Sequence, residues 1–179
     1  CLQYCQNLDL VASGGTDSLV RLWDFNNQEC KGTFKGIQGV VSVITFHPNE
    51  QVVLAAADDA NILAWNIETR KVTKTFSGHI SKVTSISFAQ DSNFFISSSR
   101  DKVLISWDYV NGKLLRTIPV YEGIECALIL PYHIKLPHGI ELNDESKMYA
   151  ATAGEEGIVK IWQVNDSKML YKQESSVIS

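Results

Sequence analysis

An all-β chain made of one four-stranded unit repeated about four times is the fold this sequence predicts, and three observations predict it. The tryptophans Trp23, Trp65, Trp107 and Trp162 are spaced 42, 42 and 55 residues apart. Six residues before each stands an acid: Asp17, Asp59, Asp101 and Glu156. Apolar residues alternate with polar or small ones at the period of a half-buried strand, and no stretch sustains the 3.6-residue period of a helix. Self-similarity at one fixed period marks a repeat architecture.

The first unit, 1–34, reads as a shortened first strand, then LVASGG, a turn carrying Asp17, and VRLW. Gly14-Gly15, like Gly154 in the fourth unit, are read as hairpin glycines that supply a positive φ. The second unit, 38–76, opens on VVSVITF, turns through HPNEQ, and continues as VVLAA, the Asp59 hairpin, the Trp65 strand, NIETR and KVTKTF. The third, 80–119, repeats this with VTSISF, AQDSN, FFISS, Asp101, Trp107, YVNGK and KLLRTI. Pro, Asn, Asp and Gly punctuate both. The fourth, 121–173, is 13 residues longer, and the excess is the loop PYHIKLPHGIELNDES at 131–146. Surface loops accept such insertions without disturbing the strands around them.

Composition narrows the function. The chain has 179 residues, 45% of them apolar, a globular and not a disordered balance. No apolar run approaches the roughly 20 residues that span a bilayer, so no membrane partner is expected. A net charge of −4 gives no global attraction to phosphate backbones. Cys1, Cys5, Cys30 and Cys126 form no CxxC pair, which argues against a disulfide framework or a zinc site and fits a reducing compartment. His133 and His138, even with Cys126 upstream, are too few for a metal, and none is expected. Neither GxxxxGK[ST] nor GxGxxG occurs, so no cofactor and no small-molecule substrate is indicated.

With Gly78-His79 ahead of the third unit and Asp101, Trp107 and Asp108 within it, the chain resembles the WD-repeat family. That resemblance implies a partial β-propeller, about four four-stranded blades forming an open arc of a larger, seven-bladed propeller, with blades at 1–34, 38–76, 80–119 and 121–173. The sequence is then expected to be a piece of a longer chain. The apolar flanks of its first and last blades are expected to face water, and the piece alone to be poorly soluble.

The resemblance also implies a structural tetrad of His79, Ser97, Asp101 and Trp107, linked by hydrogen bonds. A hydrolase triad is the competing reading of the same Ser, His and Asp. No G-x-S-x-G elbow surrounds Ser97, and a buried Asp and indole need these partners in any case. The remaining repeat anchors, Asp17, Trp23, Asp59, Trp65, Glu156 and Trp162, sit in depleted networks. The first unit keeps Ser13. The second has Ile37 and Ala55 at the His and Ser positions. The fourth has Tyr121, Thr152 and Glu156, a longer acid opposite a phenol. His47 is read as solvated.

Partner binding is expected on the face shared by the second-to-third strand hairpins and the blade-to-blade loops. Its candidates are Thr16, Asp58, Arg100, Glu155, Lys35 and Lys82, with Ser77 beside them. Their mixed signs suit protein partners better than nucleic acid. Arg100 is the leading residue, with local pairing to a neighbouring blade as the alternative. On the opposite face the insertion carries Ile134, Leu136, Ile140 and Leu142, read as exposed: a partner-binding loop, or one that folds back on its own blade.

Within the family, RTIPVYEGIECALILP replaces the usual Gly-His and Val-x-Ser-x-x-Phe, and in this the chain is similar to a WD-repeat subunit of the UTP-B complex of the small-subunit processome. This implies a non-catalytic nucleolar scaffold among other UTP-B WD-repeat subunits, supporting pre-rRNA processing. Contact with pre-rRNA and guide snoRNA is expected to be indirect or local. The alternative is another WD-repeat adaptor, such as a ubiquitin-ligase substrate receptor or a G-protein-β-like signalling scaffold, in nucleus or cytoplasm.

Overall fold

A computed structural model describes residues 1–173. It is all-β, with four antiparallel four-stranded sheets whose strands lie side by side in chain order. The first sheet contains β1 (Leu2–Cys5), β2 (Leu10–Gly14), β3 (Val20–Asp24) and β4 (Glu29–Phe34). The second contains β5 (Val41–Phe46), β6 (Val52–Ala57), β7 (Ile62–Asn66) and β8 (Val72–Phe76). The third contains β9 (Val83–Phe88), β10 (Phe94–Ser99), β11 (Val103–Asp108) and β12 (Lys113–Pro119). In the insertion a small hairpin, β14 (Ile134–Lys135) and β15 (Glu141–Leu142), flanks a 3-10 turn. It interrupts the fourth sheet, which contains β13 (Ile124–Leu130), β16 (Tyr149–Gly154), β17 (Val159–Gln163) and β18 (Lys168–Lys172). Among the described residues no helix is long and apolar enough to cross a membrane.

The sheets stack in chain order as a partial propeller arc, and the cores lie between neighbours. Leu22 and Phe34 of the first sheet meet Val53 and Trp65 of the second. Leu54 and Phe76 of the second meet Phe95 and Trp107 of the third. Ile96 and Ile118 of the third meet Ala150 and Trp162 of the fourth. Period-2 alternation produces this, because successive residues of a central strand face opposite neighbours. In all four sheets the register slips by one residue beside the tryptophan, between Leu22 and Trp23, Ala64 and Trp65, Ser106 and Trp107, and Ile161 and Trp162. A bulge repeated at one position adds the same twist to each outer strand.

Gly14, Gly15 and Gly154 do not supply the positive φ expected of them. Positive φ falls on the residue after each acid, Ser18, Ala60, Lys102 and Gly157, at 61° to 69°. Gly14 and Gly154 are the last residues of β2 and β16 and serve close approach. A Cβ at Gly14 would come 2.5 Å from Val41 Cγ1, and one at Gly154 would come 2.2 Å from the Gly123 carbonyl oxygen.

The apolar residues of the insertion are not exposed. Leu142 is fully buried, and Ile134, Leu136 and Ile140 are half-buried against Tyr149, Ile161 and Leu170 on the outward face of the fourth sheet. That face is therefore partly covered, because an apolar loop beside an apolar sheet face lowers its free energy by folding onto it. The outward face of the first sheet is open: Leu2, Tyr4 and Trp23 are 70%, 48% and 40% exposed.

Candidate functional site

The third sheet holds a continuous hydrogen-bonded chain. The Trp107 indole N–H donates to Ser97 Oγ at 2.8 Å, Ser97 Oγ lies 2.7 Å from His79 Nε2, and His79 Nδ1 lies 2.8 Å from Asp101 Oδ2. Burial lowers the His79 pKa, against the opposing pull of Asp101, so the ring is neutral at pH 7. One assignment of protons satisfies every atom: Nδ1–H donates to Asp101, and the Ser97 hydroxyl donates to Nε2 while accepting from the indole. Asp101 Oδ2 also accepts from the Ile80 amide, and Oδ1 from the Val103 amide. The Ser, His and Asp thus have the spacing of a hydrolase triad without its access. Ser97 is fully buried and its oxygen already receives the indole N–H, so no substrate carbonyl reaches it. What the arrangement does is tie the loop before β9, the strand β10 and the hairpin between β10 and β11 into one unit.

The other sheets solve the same burial problem with other chemistry. Trp23 donates to Ser13 at 2.8 Å, while Asp17 pairs with Arg21 at 2.7 Å. With Ala55 at the serine position, the Trp65 indole turns to the Lys35 carbonyl oxygen at 3.1 Å. Asp59 accepts only the backbone amides of Gln38 and Asn61, at 3.3 and 3.4 Å. Trp162 donates to Thr152 Oγ1 at 2.9 Å.

In the fourth sheet Glu156 does not face the phenol. Tyr121 takes a positive φ of 68° and is 81% exposed, and the next residue, Glu122, turns inward instead. Buried Glu122 meets buried Lys160 at 2.6 Å, and Glu156 joins Lys160 at 3.2 Å. Burial works to lower the Lys160 pKa, but the two carboxylates outweigh it and the net shift is upward. The sequence reading missed this triplet by one residue. Its signal was Lys160, a cation four after Glu156 on a strand where the second and third units carry Leu63 and Ile105.

His47 was misread as solvated. It is buried, with Nδ1 accepting the amides of Asn49 and Glu50 at 3.2 and 3.0 Å and Nε2 lying 3.1 Å from the Ser92 carbonyl oxygen. Its ring packs edge-on against Phe88 and tilted over Tyr109. Burial lowers its pKa. The missed signal was Phe-His-Pro at a turn, where an imidazole can accept turn amides as an Asx side chain does.

The hairpins after β2, β6, β10 and β16 and the loops between sheets share one face. Arg100 Nε donates to Glu125 of the next sheet at 3.0 Å, and Lys82 stands 3.8 Å from Asp58 of the preceding one. Asp58 also accepts the Val40 amide. Thr16, Lys35, Ser77 and Glu155 are exposed there, and Ser77 donates to Asn61. The face is mixed in sign and laced across sheet boundaries. Among the described residues no three metal-ligating side chains converge, and the His138 side chain lies outside them.

A family model described as "WD domain, G-beta repeat" matches residues 1–24, 28–66 and 70–108. Each of the latter two matches takes the outer strand of one sheet with three strands of the next, so the sequence repeat is staggered by one strand against the sheets. Transducin beta-like protein 3 of Rattus norvegicus is 35% identical over 166 residues, and that of Homo sapiens 34% over 166. The Bos taurus protein of that name is 33% identical over 169 residues. These alignments cover 92% of the chain and 20% of each relative. The chain thus spans about a fifth of the length of the curated relatives it matches.

Proposed function

Since the chain belongs to the WD-repeat family, we propose that the protein is a non-catalytic scaffold for protein assembly, working in the UTP-B complex of the small-subunit processome. One observation carries the scaffold reading: the only Ser-His-Asp constellation among the described residues is sealed inside the third sheet, with Ser97 fully buried and its oxygen committed. The exposed face that carries the hairpins and inter-sheet loops is of mixed charge. The processome reading rests on the similarity to transducin beta-like protein 3 across 92% of the chain. In this reading the protein acts in the nucleolus, supports pre-rRNA processing, and is partnered by other WD-repeat subunits. The acidic net charge favours indirect or local contact with pre-rRNA and guide snoRNA. Thr16, Lys35, Asp58, Lys82, Arg100 and Glu155 form the proposed partner face. The intact protein, affinity-purified from cells, is expected to bring down processome subunits and pre-rRNA. Recovery of a cullin complex or a signalling receptor in their place refutes the assignment.

A further inference from the structure

Among the described residues, the groove between the third and fourth sheets, on the face of the insertion, is the one sheet junction whose cationic side chain is left unpartnered. At the junction of the first and second sheets, Arg70 lies over Gly32 and donates to the Lys31 carbonyl. At the next, Lys74 donates to the carbonyls of Tyr109 and Val110 at 2.6 and 3.2 Å and sits 3.9 Å over the Tyr109 ring. Arg116 occupies the Lys74 position in the third sheet: Ala64 pairs with Lys74 across the second sheet, and Ser106 pairs with Arg116 across the third. Val164 and Asn165, the counterparts of Tyr109 and Val110, line the far wall. Yet among the described residues the Arg116 side chain makes no hydrogen bond or ion pair. Between them lies a groove of about 870 Å³. Its cross-strand neighbour Ser106, where the other sheets carry Leu22, Ala64 and Ile161, is buried at the groove floor, and its hydroxyl also has no partner among the described residues.

We infer that this groove binds an extended protein segment that places one carboxylate on Arg116 and Ser106 and an apolar side chain beside it. A guanidinium and a hydroxyl side by side match a single carboxylate. Phe94, Leu115, Ile129 and Met148 supply the apolar wall. Three further carboxylates, Asp91, Glu145 and Asp166, ring the groove, and its other cation, Lys147, already pairs with Asp144 at 3.3 Å. Those acids repel a row of phosphates, so the chemistry favours a peptide with one acid and a basic flank over RNA. The inference rests on the scaffold reading and names one class of partner for it.

The test pans a displayed library of random dodecapeptides against the full-length protein, then measures the selected peptides by fluorescence anisotropy on wild type and on Arg116→Glu and Ser106→Ala. Arg116 is exposed, so its replacement leaves the fold intact, which a thermal melt checks. Enriched peptides are expected to share an Asp or Glu next to a large apolar residue. Arg116→Glu is expected to weaken them by about tenfold or more, and Ser106→Ala by less. No enrichment, or binding unchanged by Arg116→Glu, overturns the inference. So does tighter, Arg116-dependent binding of a single-stranded RNA dodecamer. Arg116→Glu leaves the partner-face residues untouched. If it still recovers processome subunits while losing the peptides, groove and processome reading are separate; if neither wild type nor variant recovers them, that reading fails alone.

Discussion

Replacing Asp101 by alanine strips the acceptor from three donors. The His79 ring nitrogen at 2.8 Å is buried, and the amides of Ile80 and Val103 at 3.0 and 3.2 Å are partly reachable by water. A buried donor left without a partner costs about 1–3 kcal/mol, and each amide that turns to water loses a few tenths. The sum is about 2–4 kcal/mol. Asp59→Ala removes two long bonds to backbone amides, at 3.3 and 3.4 Å, and strands no buried ring, so its cost is below about 1 kcal/mol. At roughly 2–4 °C per kcal/mol for a unit of this size, Asp101→Ala lowers the melting temperature by about 4–16 °C and Asp59→Ala by less than about 4 °C. Differential scanning calorimetry of the intact protein at pH 7.5, both variants beside wild type, reads the contrast. Asp101→Asn keeps one carbonyl acceptor and is expected to fall between. Equal shifts for the two alanine variants refute the idea that the third sheet's network is the one that contributes.

Three further outcomes follow from other groups. His79 and His47 both have pKa values lowered by burial, so the unfolded chain takes up their protons first. Their stabilisation is complete above the unfolded value near 6.5 and is lost as pH falls below it, so the urea midpoint drops between pH 7.5 and 5.5, and drops less in His79→Gln. Lys160→Met leaves buried Glu122 without its cation and is expected to cost about 3–5 kcal/mol, largely regained when Glu122→Leu is added; a neutral single variant in chemical denaturation contradicts the buried pair. Leu142→Ala empties a fully buried position under the insertion and is expected to cost about 2–4 kcal/mol, with hydrogen exchange quickening in β14, β15 and β16; an unchanged exchange map means the loop does not hold that sheet face.

The strand order and the anchors were readable because period-2 alternation and a fixed turn recur in the text itself. Asp101, six before Trp107, needs no third dimension to be noticed. What was not readable depended on direction. At Tyr121 and Glu122 two adjacent residues compete to face inward, and a single positive φ decides for Glu122; spacing counts alone chose the other. His47 looked solvated because Phe-His-Pro belongs to a turn, but a neutral imidazole that accepts two amides is buried at little cost. Gly14 and Gly154 looked like turn glycines because turns are where glycine is commonest, whereas close approach places them, Gly14 against Val41 of the next sheet and Gly154 against the Gly123 carbonyl at the start of its own sheet. Ile134 and Leu142 looked exposed because loops are, yet the outward face of the fourth sheet gave them something to cover.

The four sheets also separate what the repeat constrains from what it leaves open. Behind one strand pattern lie an Asp17–Arg21 pair near the surface, a second sheet with apolar Ile37 and Ala55, a neutral polar chain through His79, and a buried Glu122–Lys160 pair. Backbone pairing is held constant, while the size and charge of the side chains that fill each site are not. Such drift is tolerated when partners change together, because an apolar pair and a satisfied polar pair of the same shape differ little in net free energy. The same tolerance acts at the sheet junctions. Arg70 and Lys74 are satisfied by the chain's own carbonyls, so each closes its junction. Arg116 is not: among the described residues its side chain has no internal partner, and it faces a groove bordered by the ends of the insertion. A cation kept in place without an internal partner, beside a serine where apolar residues stand in the other sheets, is where this fold has surface chemistry to offer another chain.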